Sequence, residues 1–349
     1  MHPPIIRTLA RSALTSIVVV ALLATSVAFW LWALPARAGA AETLLNVSYD
    51  PTRELWKAVN ERFIAQWQQQ HDGALEIKQS HGGSGSQARA VVDGLEADVV
   101  TLAMWPDTDA IRKVGLISSG WESRFPNNST PYTSTIVFVV RTGNPKGIKD
   151  WPDIVKPGVE IVTPNPKTSG NGKLSFLAAW GSVTQNGGSE EQAKEFVTKM
   201  YKQAPVLDAA ARGATITFAQ KGIGDVQLTW ENEAHLQLEE FPGQFEIVHP
   251  SISFKAEPPV AVVDVNARRH GTTAAAEAYL NYLYTPEGQE LIARNFYRPI
   301  DPAVARKHAS TFPDIKFFTV DAVAKDWTDA YDKYFGDGKI YDSIYQQGR

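Results

Sequence analysis

After residue 40, short apolar runs alternate with segments of helical periodicity. The runs at residues 44–49 and 225–230 are bounded by polar or glycine-rich stretches, which is typical of buried strands. Between them, Trp56, Val59 and Phe63 recur at helical spacing and predict a helix with one buried face. Because strands and helices alternate along the chain, we expect an α/β protein with mainly parallel sheets.

Two β-branched runs indicate where the chain crosses between domains. Residues 135–141 and 260–265 are both strongly apolar, and they divide the chain into three parts. We predict that residues 41–134 and 261–349 form a discontinuous lobe I, and that residues 135–260 form lobe II. Two crossings imply two lobes with a ligand cleft between them.

One strand leads into a Ser/Gly turn that opens a helix at residues 163–173. Ser169 is a good N-cap type, and Gly170 allows a close approach of the backbone. A helix start presents unpaired N–H groups and the positive end of the helix dipole, which suits an anion. An ordinary βα connection has the same pattern. Lys167 and Lys173 flank the turn, and we expect both to be solvated.

The pattern recurs twice, which favours a binding site over an ordinary connection. Residues 80–87 follow a predicted strand, and Ser84 and Gln87 have the spacing of a capping box. Residues 208–215 form the third junction. The strand at 225–230 then delivers Trp230 at its carboxyl end.

The first forty residues have the composition of a targeting segment. Arg7 and Arg11 precede the apolar residues 13–34, and small residues follow at 36–40. These features predict a cleavable signal peptide of residues 1–40 and export of the mature chain. The apolar stretch is long, so an uncleaved membrane anchor remains an alternative.

Charge and composition exclude several classes of partner. The formal net charge is −4, and removing residues 1–40 takes away three arginines and no acid, which leaves −4 − 3 = −7. Nucleic acid and anionic lipid are therefore not expected as partners. The chain has no cysteine, and its histidines lack metal-binding spacing, so we predict no metal and no cofactor. Any bound anion must be held by local dipoles.

Several longer motifs are spread in order over nearly the whole mature chain: SYDPTRELW (48–56), QSHGGSG (79–85), TPNPKTSG (163–170), ARGAT (211–215), WENEA (230–234) and YLYTPEGQE (282–290). Together they resemble one family, the prokaryotic sulfate-binding proteins. These are periplasmic receptors of the sulfate/thiosulfate ABC transporters.

The resemblance implies a two-lobed periplasmic-binding-protein fold of type II, which closes on an unhydrated dianion without a cation in contact. The implied sulfate ligands are Ser84, Ser169, Gly170, Asn171, Ala211 and Trp230. Asp50 and Arg212 are placed beside the site as supporting residues. Asn171 departs from the family, which commonly has glycine there.

The resemblance also implies partners, and it leaves open whether the ligand is sulfate or thiosulfate. We expect a monomer that binds sulfate or thiosulfate, delivers it to the permease of an inner-membrane ABC transporter, and is not an enzyme. Two rival hypotheses are a sensory module tethered to the membrane and an exported serine hydrolase. The sequence HGGSG at residues 81–85 resembles an oxyanion-hole motif, but the G-x-S-x-G elbow is missing.

Overall fold

The computed structural model describes residues 39–347. The predicted signal peptide, up to residue 38, lies outside the described residues. Among residues 39–347, no helix combines the length and the apolar character that a bilayer span requires.

Strands and helices are interspersed along the described chain. The strands are β1 (Gly39–Tyr49), β2 (Gly73–Gly82), β3 (Val99–Thr101), β4 (Tyr132–Thr133), β5 (Ile136–Arg141), β6 (Ile161–Pro164), β7 (Leu207–Asp208), β8 (Val226–Trp230), β9 (Phe245–Val248), β10 (Ile252–Phe254), β11 (Val260–Val262), β12 (Arg298–Pro299) and β13 (Lys316–Phe318). The helices are α1 (Arg53–Gln70), α2 (Ser84–Val92), α3 (Trp105–Lys113), α4 (Pro126–Ser129), α5 (Trp151–Ile154), α6 (Gly170–Thr184), α7 (Glu190–Lys202), α8 (Ala211–Thr215), α9 (Glu231–Glu240), α10 (Asp264–His270), α11 (Thr273–Tyr282), α12 (Pro286–Arg294), α13 (Pro302–Lys307), α14 (Trp327–Ala330) and α15 (Ile340–Gln347).

The first sheet has the strand order β11-β3-β1-β2. Strand β1 pairs in parallel with β2 and β3, and β11 closes the edge antiparallel to β3. Helix α1 covers the sheet with the predicted apolar stripe, since Trp56, Val59 and Phe63 are buried. The carboxyl ends of β1 and β2 lie at the same edge of this sheet, and both lead into helices.

The second sheet has the order β7-β6-β8-β5-β9. Strands β7, β6 and β8 are parallel, whereas β5 runs antiparallel to both of its neighbours. Strand β5 enters from the other lobe, so its direction differs from that of the βα units around it. Helix α6 is apolar nearly all round and almost wholly buried, as expected for a helix packed on both sides.

The two crossings between the sheets lie side by side. Ser134 and Ala256 exchange both backbone hydrogen bonds, with N–O distances of 3.0 and 2.9 Å. The chain therefore crosses just before residues 135–141 and 260–265, the two runs that were predicted to be the crossings. Strands β5 and β11, which lie in these runs, already belong to a sheet. Arg298 adds a bidentate ion pair to Glu231, with both N–O distances at 2.7 Å. Paired crossing segments of this kind suit a hinge.

The C-terminal segment contacts elements of the predicted lobe II. Strand β13 pairs with β10, and Tyr334 packs on Phe176 of α6. Lys167 donates to Asp342 at 3.0 Å and to the Phe335 carbonyl, so the expectation that this lysine is solvated is wrong. The sequence had assigned these C-terminal residues to lobe I. The lobe boundaries remain a prediction, and these contacts favour moving residues 316–347 to lobe II.

Candidate functional site

The first glycine loop connects β2 to α2. Gly83 is the N-cap residue, and no side chain caps the helix, so the predicted Ser84–Gln87 capping box is wrong. The predicted helix start is confirmed. Ser84 already lies in the first turn, where its hydroxyl donates to Oδ2 of Asp107 at 2.5 Å and accepts from the Ala103 N–H at 3.0 Å. The first-turn N–H groups of α2 have no acceptor within the helix.

The second junction connects β6 to α6 and forms as predicted. Ser169 is the N-cap residue, and its Oγ accepts from the N–H of Gly172 at 3.4 Å. Gly170 and Asn171 follow in the first turn. Asn171 accepts a hydrogen bond from Ser175 at 3.0 Å, which fixes its side chain along the helix. The Ser169 hydroxyl keeps its own hydrogen for another acceptor.

The third junction begins α8 at Ala211. The next N–H, that of Arg212, donates to Oδ2 of Asp50 at 2.9 Å. Asp50 also accepts from the Arg53 guanidinium through Oδ1. Asp50 therefore joins the end of β1 to the start of α8, rather than capping α1, whose N-cap residue is Thr52.

Trp230 lies at the last position of β8 and is fully buried. Its ring packs against Tyr49 with a centroid distance of 5.2 Å. Among the described residues, its Nε1 has no hydrogen-bond partner. A buried donor without a partner costs about 1–3 kcal/mol, so this N–H would gain from an acceptor placed beside it.

These four parts of the chain, together with the end of β1, line one small cavity. It is lined by Tyr49, Asp50, Pro51, Gly82, Gly83, Ser84, Ser169, Gly170, Asn171, Ala211 and Trp230. All six implied ligand positions and Asp50 are therefore brought together. Arg212 is not part of the cavity lining but directly follows Ala211, which is, so it lies beside the site as the resemblance implied. Asp50 is the single charged residue of the lining, and both of its carboxylate oxygens are already hydrogen-bonded.

Arg212 is the centre of a charged cluster behind the cavity. Its guanidinium contacts Glu233 at 2.9 Å and Glu54 at 3.1 Å. Burial alone would lower the pKa of Arg212, but the two glutamates outweigh it and raise that pKa. Burial raises the pKa of Glu233 to about 7 against the opposing effect of Arg212. Glu54 belongs to α1 and Arg212 to α8, so the cluster also joins two helices that pack on different sheets.

The raised pKa of Glu233 predicts a specific pH dependence of stability. An exposed glutamate has a pKa of about 4.3, so the folded protein favours the protonated form more than the unfolded chain does. The protein should therefore lose stability as pH rises from about 4.5 to about 7, with no further loss from this group above that range. We expect the melting temperature of wild type to fall more steeply over this interval than that of Glu233→Gln. The measurement is differential scanning calorimetry over a series of pH values. If the melting temperatures of the two proteins changed with pH in parallel, the expectation would be wrong.

Residues 54–298 match the family of bacterial extracellular solute-binding proteins. The chain belongs to that family. The sulfate-binding protein of Escherichia coli K12 is 53% identical over 86% of this chain and 92% of its own length. The thiosulfate-binding protein of Pseudomonas aeruginosa is 51% identical over 90% of this chain and 95% of its own length.

A solved structure supports the same assignment. The sulfate-binding protein SubI from Mycobacterium tuberculosis H37Rv superimposes with a TM-score of 0.77 at 33% identity, covering 84% of this chain and 99% of that one. The resemblance to the sulfate-binding family and the predicted two-lobed α/β fold are therefore confirmed.

Sequence reasoning missed part of the cavity of this solute-binding protein. Tyr49, Pro51, Gly82 and Gly83 line it beside the predicted residues. The motif SYDPTRELW contained a signal, because it places a strand end directly before a helical turn, which is a fourth junction of the same kind. Lys173 was expected to be solvated, and this is wrong: it is 3% exposed and lies 2.8 Å from Asp107.

Proposed function

We propose that this solute-binding protein is a periplasmic receptor that binds sulfate in the cavity and delivers it to an inner-membrane ABC transporter, with no chemical step. The observation that carries the proposal is the indole N–H of Trp230, which is fully buried in the cavity wall without an acceptor among the described residues. The sulfate-binding names of the relatives support the choice of ligand.

The donors around the cavity match a dianion that only accepts hydrogen bonds. Ser84, Gly170, Asn171 and Ala211 stand in the first turns of three helices, and the lining contains no lysine, arginine or histidine. Hydrogen bonds to a charged group contribute about 1.5–3 kcal/mol each. Six of them, less desolvation of sulfate and closure of the lobes, leave a net of roughly −8 kcal/mol, which corresponds to about micromolar affinity.

The same arrangement should reject phosphate. Monohydrogen phosphate has the shape of sulfate but carries a proton that needs an acceptor. The one carboxylate of the lining, Asp50, already accepts from Arg53 through Oδ1 and from the N–H of Arg212 through Oδ2, which makes it a weaker acceptor for that proton. An unpaired proton facing a donor costs about 1–3 kcal/mol or more.

Thiosulfate is the alternative ligand of the same cavity. It is also a tetrahedral acceptor-only dianion, with one larger sulfur in place of an oxygen. The relatives include proteins named for each of the two anions. We therefore keep thiosulfate as a second candidate, to be separated from sulfate by direct competition.

The geometry around Ser84 argues against a serine hydrolase. Its hydroxyl contacts Asp107 and the N–H of Ala103, whereas His81 contacts Ser48 and Gln79. A serine nucleophile needs an adjacent base to take its proton, and an aspartate held by a lysine is a poor one. A fluorophosphonate probe that labels Ser84 would reverse this conclusion.

Calorimetric titration of the purified 41–349 chain tests the proposal. The protein is first stripped of bound anion by partial unfolding and dialysis, and then titrated with sulfate, thiosulfate and phosphate in turn. We expect tight binding of sulfate or thiosulfate and no response to phosphate. Equal binding of phosphate would mean that an acceptor faces the cavity. If none of the three anions bound, the proposal would be refuted.

The periplasmic location rests on the predicted signal peptide. Mass spectrometry of the protein recovered from the periplasm should find a mature N-terminus near Ala41. A full-length chain retained in the membrane fraction would instead support the tethered alternative.

Ser169→Ala tests the contribution of one hydroxyl. Loss of a hydrogen bond to a charged group should weaken sulfate binding by at least about 1 kcal/mol, or roughly fivefold, in the same titration. Ser182→Ala is the matched control, because Ser182 is buried on the helix that Ser169 caps, and its hydroxyl donates to the Ala179 carbonyl instead of facing the cavity. Unchanged affinity in Ser169→Ala would remove this hydroxyl from the site.

A further inference from the structure

A buried ion pair joins the two lobes directly behind the cavity. Asp107 lies in the first turn of α3, and Lys173 lies in the first turn of α6. Their Oδ1 and Nζ atoms are 2.8 Å apart, and the two side chains are only 6% and 4% exposed. Neither residue lines the cavity, and neither was singled out as a ligand.

The pair is coupled to the cavity through Ser84. The second oxygen of Asp107 accepts from the Ser84 hydroxyl at 2.5 Å. A hydroxyl has one hydrogen, so Ser84 cannot donate to Asp107 and to a bound anion at the same time. Asp107 thus controls whether Ser84 directs its hydrogen or only its N–H toward the cavity.

Lys173 controls the charge of Asp107. A carboxylate beside a dianion is repelled, and in a buried site this repulsion is weakly screened. Lys173 neutralises the carboxylate, but only while α6 of lobe II is pressed against α3 of lobe I. When the lobes separate, both groups can be hydrated, and the pair is not needed to keep either charge stable.

We propose that the buried Asp107–Lys173 pair across the lobe boundary is a positioning device for ligand binding, which forms on closure, orients Ser84 and keeps the Asp107 charge from opposing the anion. This inference rests on the proposed function, since it assigns the pair to the sulfate cavity. It makes Asp107 and Lys173 determinants of affinity although neither touches the ligand.

A double-mutant cycle tests the pair. Asp107→Asn keeps the shape but leaves Lys173 buried without a counter-charge, and Lys173→Met leaves the carboxylate unneutralised beside the anion. We expect each single variant to weaken sulfate binding at least about tenfold, with Lys173→Met the weaker binder. The double variant should bind sulfate more tightly than Lys173→Met alone, because the uncompensated charge is gone.

Asp109→Asn is the matched control for burial. Asp109 is a buried aspartate on the same helix, but its partners, Arg112 and Lys113, belong to that helix as well. This variant should change the melting temperature of the ligand-free protein and leave the dissociation constant for sulfate within about twofold of wild type. The Asp107 and Lys173 variants should show the reverse, a large change in affinity with a small change in that melting temperature.

The outcomes distinguish a failure of the proposal for the Asp107–Lys173 pair from a failure of the proposed function. If wild type binds sulfate but the two single effects multiply in the double variant, the coupling is absent and the proposal for the pair is wrong. It is equally wrong if the single variants bind like wild type. If wild type binds no sulfate in the same titration, the proposed function itself fails and the role of the pair fails with it.

Discussion

Gly170→Ala is expected to weaken sulfate binding by roughly 5- to 150-fold while the ligand-free protein stays folded. An alanine Cβ at this position would lie 2.4 Å from the Cβ of Ala103 and 3.3 Å from the Cβ of Ser84. Both neighbours belong to the predicted lobe I, whereas Gly170 belongs to the predicted lobe II, and a Cβ cannot rotate away. Overpacking of this kind costs about 1–3 kcal/mol or more. Incomplete closure would also lengthen the hydrogen bonds from both lobes.

The ligand-free protein should tolerate this change. Gly170 begins α6 without a positive φ, and alanine is the best helix former. The measurement is the sulfate titration together with a melting curve of the stripped protein. The double variant Ala103→Gly/Gly170→Ala removes the clashing methyl group and should recover most of the affinity. Full affinity in Gly170→Ala alone would show that the lobes need not approach as closely as in this structure.

Trp230→Phe is expected to weaken sulfate binding by roughly 10- to 150-fold. Phenylalanine keeps the buried aromatic ring beside Tyr49 but has no N–H, so one hydrogen bond to the dianion is lost. Such bonds contribute about 1.5–3 kcal/mol, which gives the stated range. The phosphate response should stay absent, because the change removes a donor and adds no acceptor.

Trp180→Phe is the control for this prediction. Trp180 is also fully buried with an Nε1 that lacks a partner among the described residues, but it lies within α6, outside the cavity lining. It should leave the dissociation constant for sulfate unchanged, because the indole N–H that it removes does not face the cavity. If Trp230→Phe retained full affinity, the indole of Trp230 would be assigned to packing alone.

The local parts of the site could be predicted because each depends on a short stretch of sequence. A strand followed by Ser or Gly and then a helical pattern defines a helix start, and α2, α6 and α8 begin at Ser84, Gly170 and Ala211 as such junctions imply. Free N–H groups at a helix start need no distant partner. The motifs of the sulfate-binding family added the order of the junctions and the role of Trp230.

Contacts between distant segments could not be predicted in the same way. Lys173 is an ordinary polar residue in the sequence, yet it is buried because α3, 66 residues away, supplies Asp107. The last helix, α15, was assigned to lobe I from chain order, although Tyr341 of this helix contacts Phe176 of α6 and Tyr201 of α7. Sequence spacing cannot show which distant surface will cover a charged side chain.

The sequence by itself determined the alternation of strands and helices, the three anion-type helix starts and the family. These follow from local periodicity, capping residues and motifs, all of which act over a few residues. Only the tertiary structure decided that five segments line one cavity, that Asp50 accepts from the Arg212 N–H, and that Asp107 accepts the Ser84 hydroxyl hydrogen. Closure brings groups from two lobes within hydrogen-bond distance, and that geometry depends on how both sheets pack across paired crossings at Ser134 and Ala256.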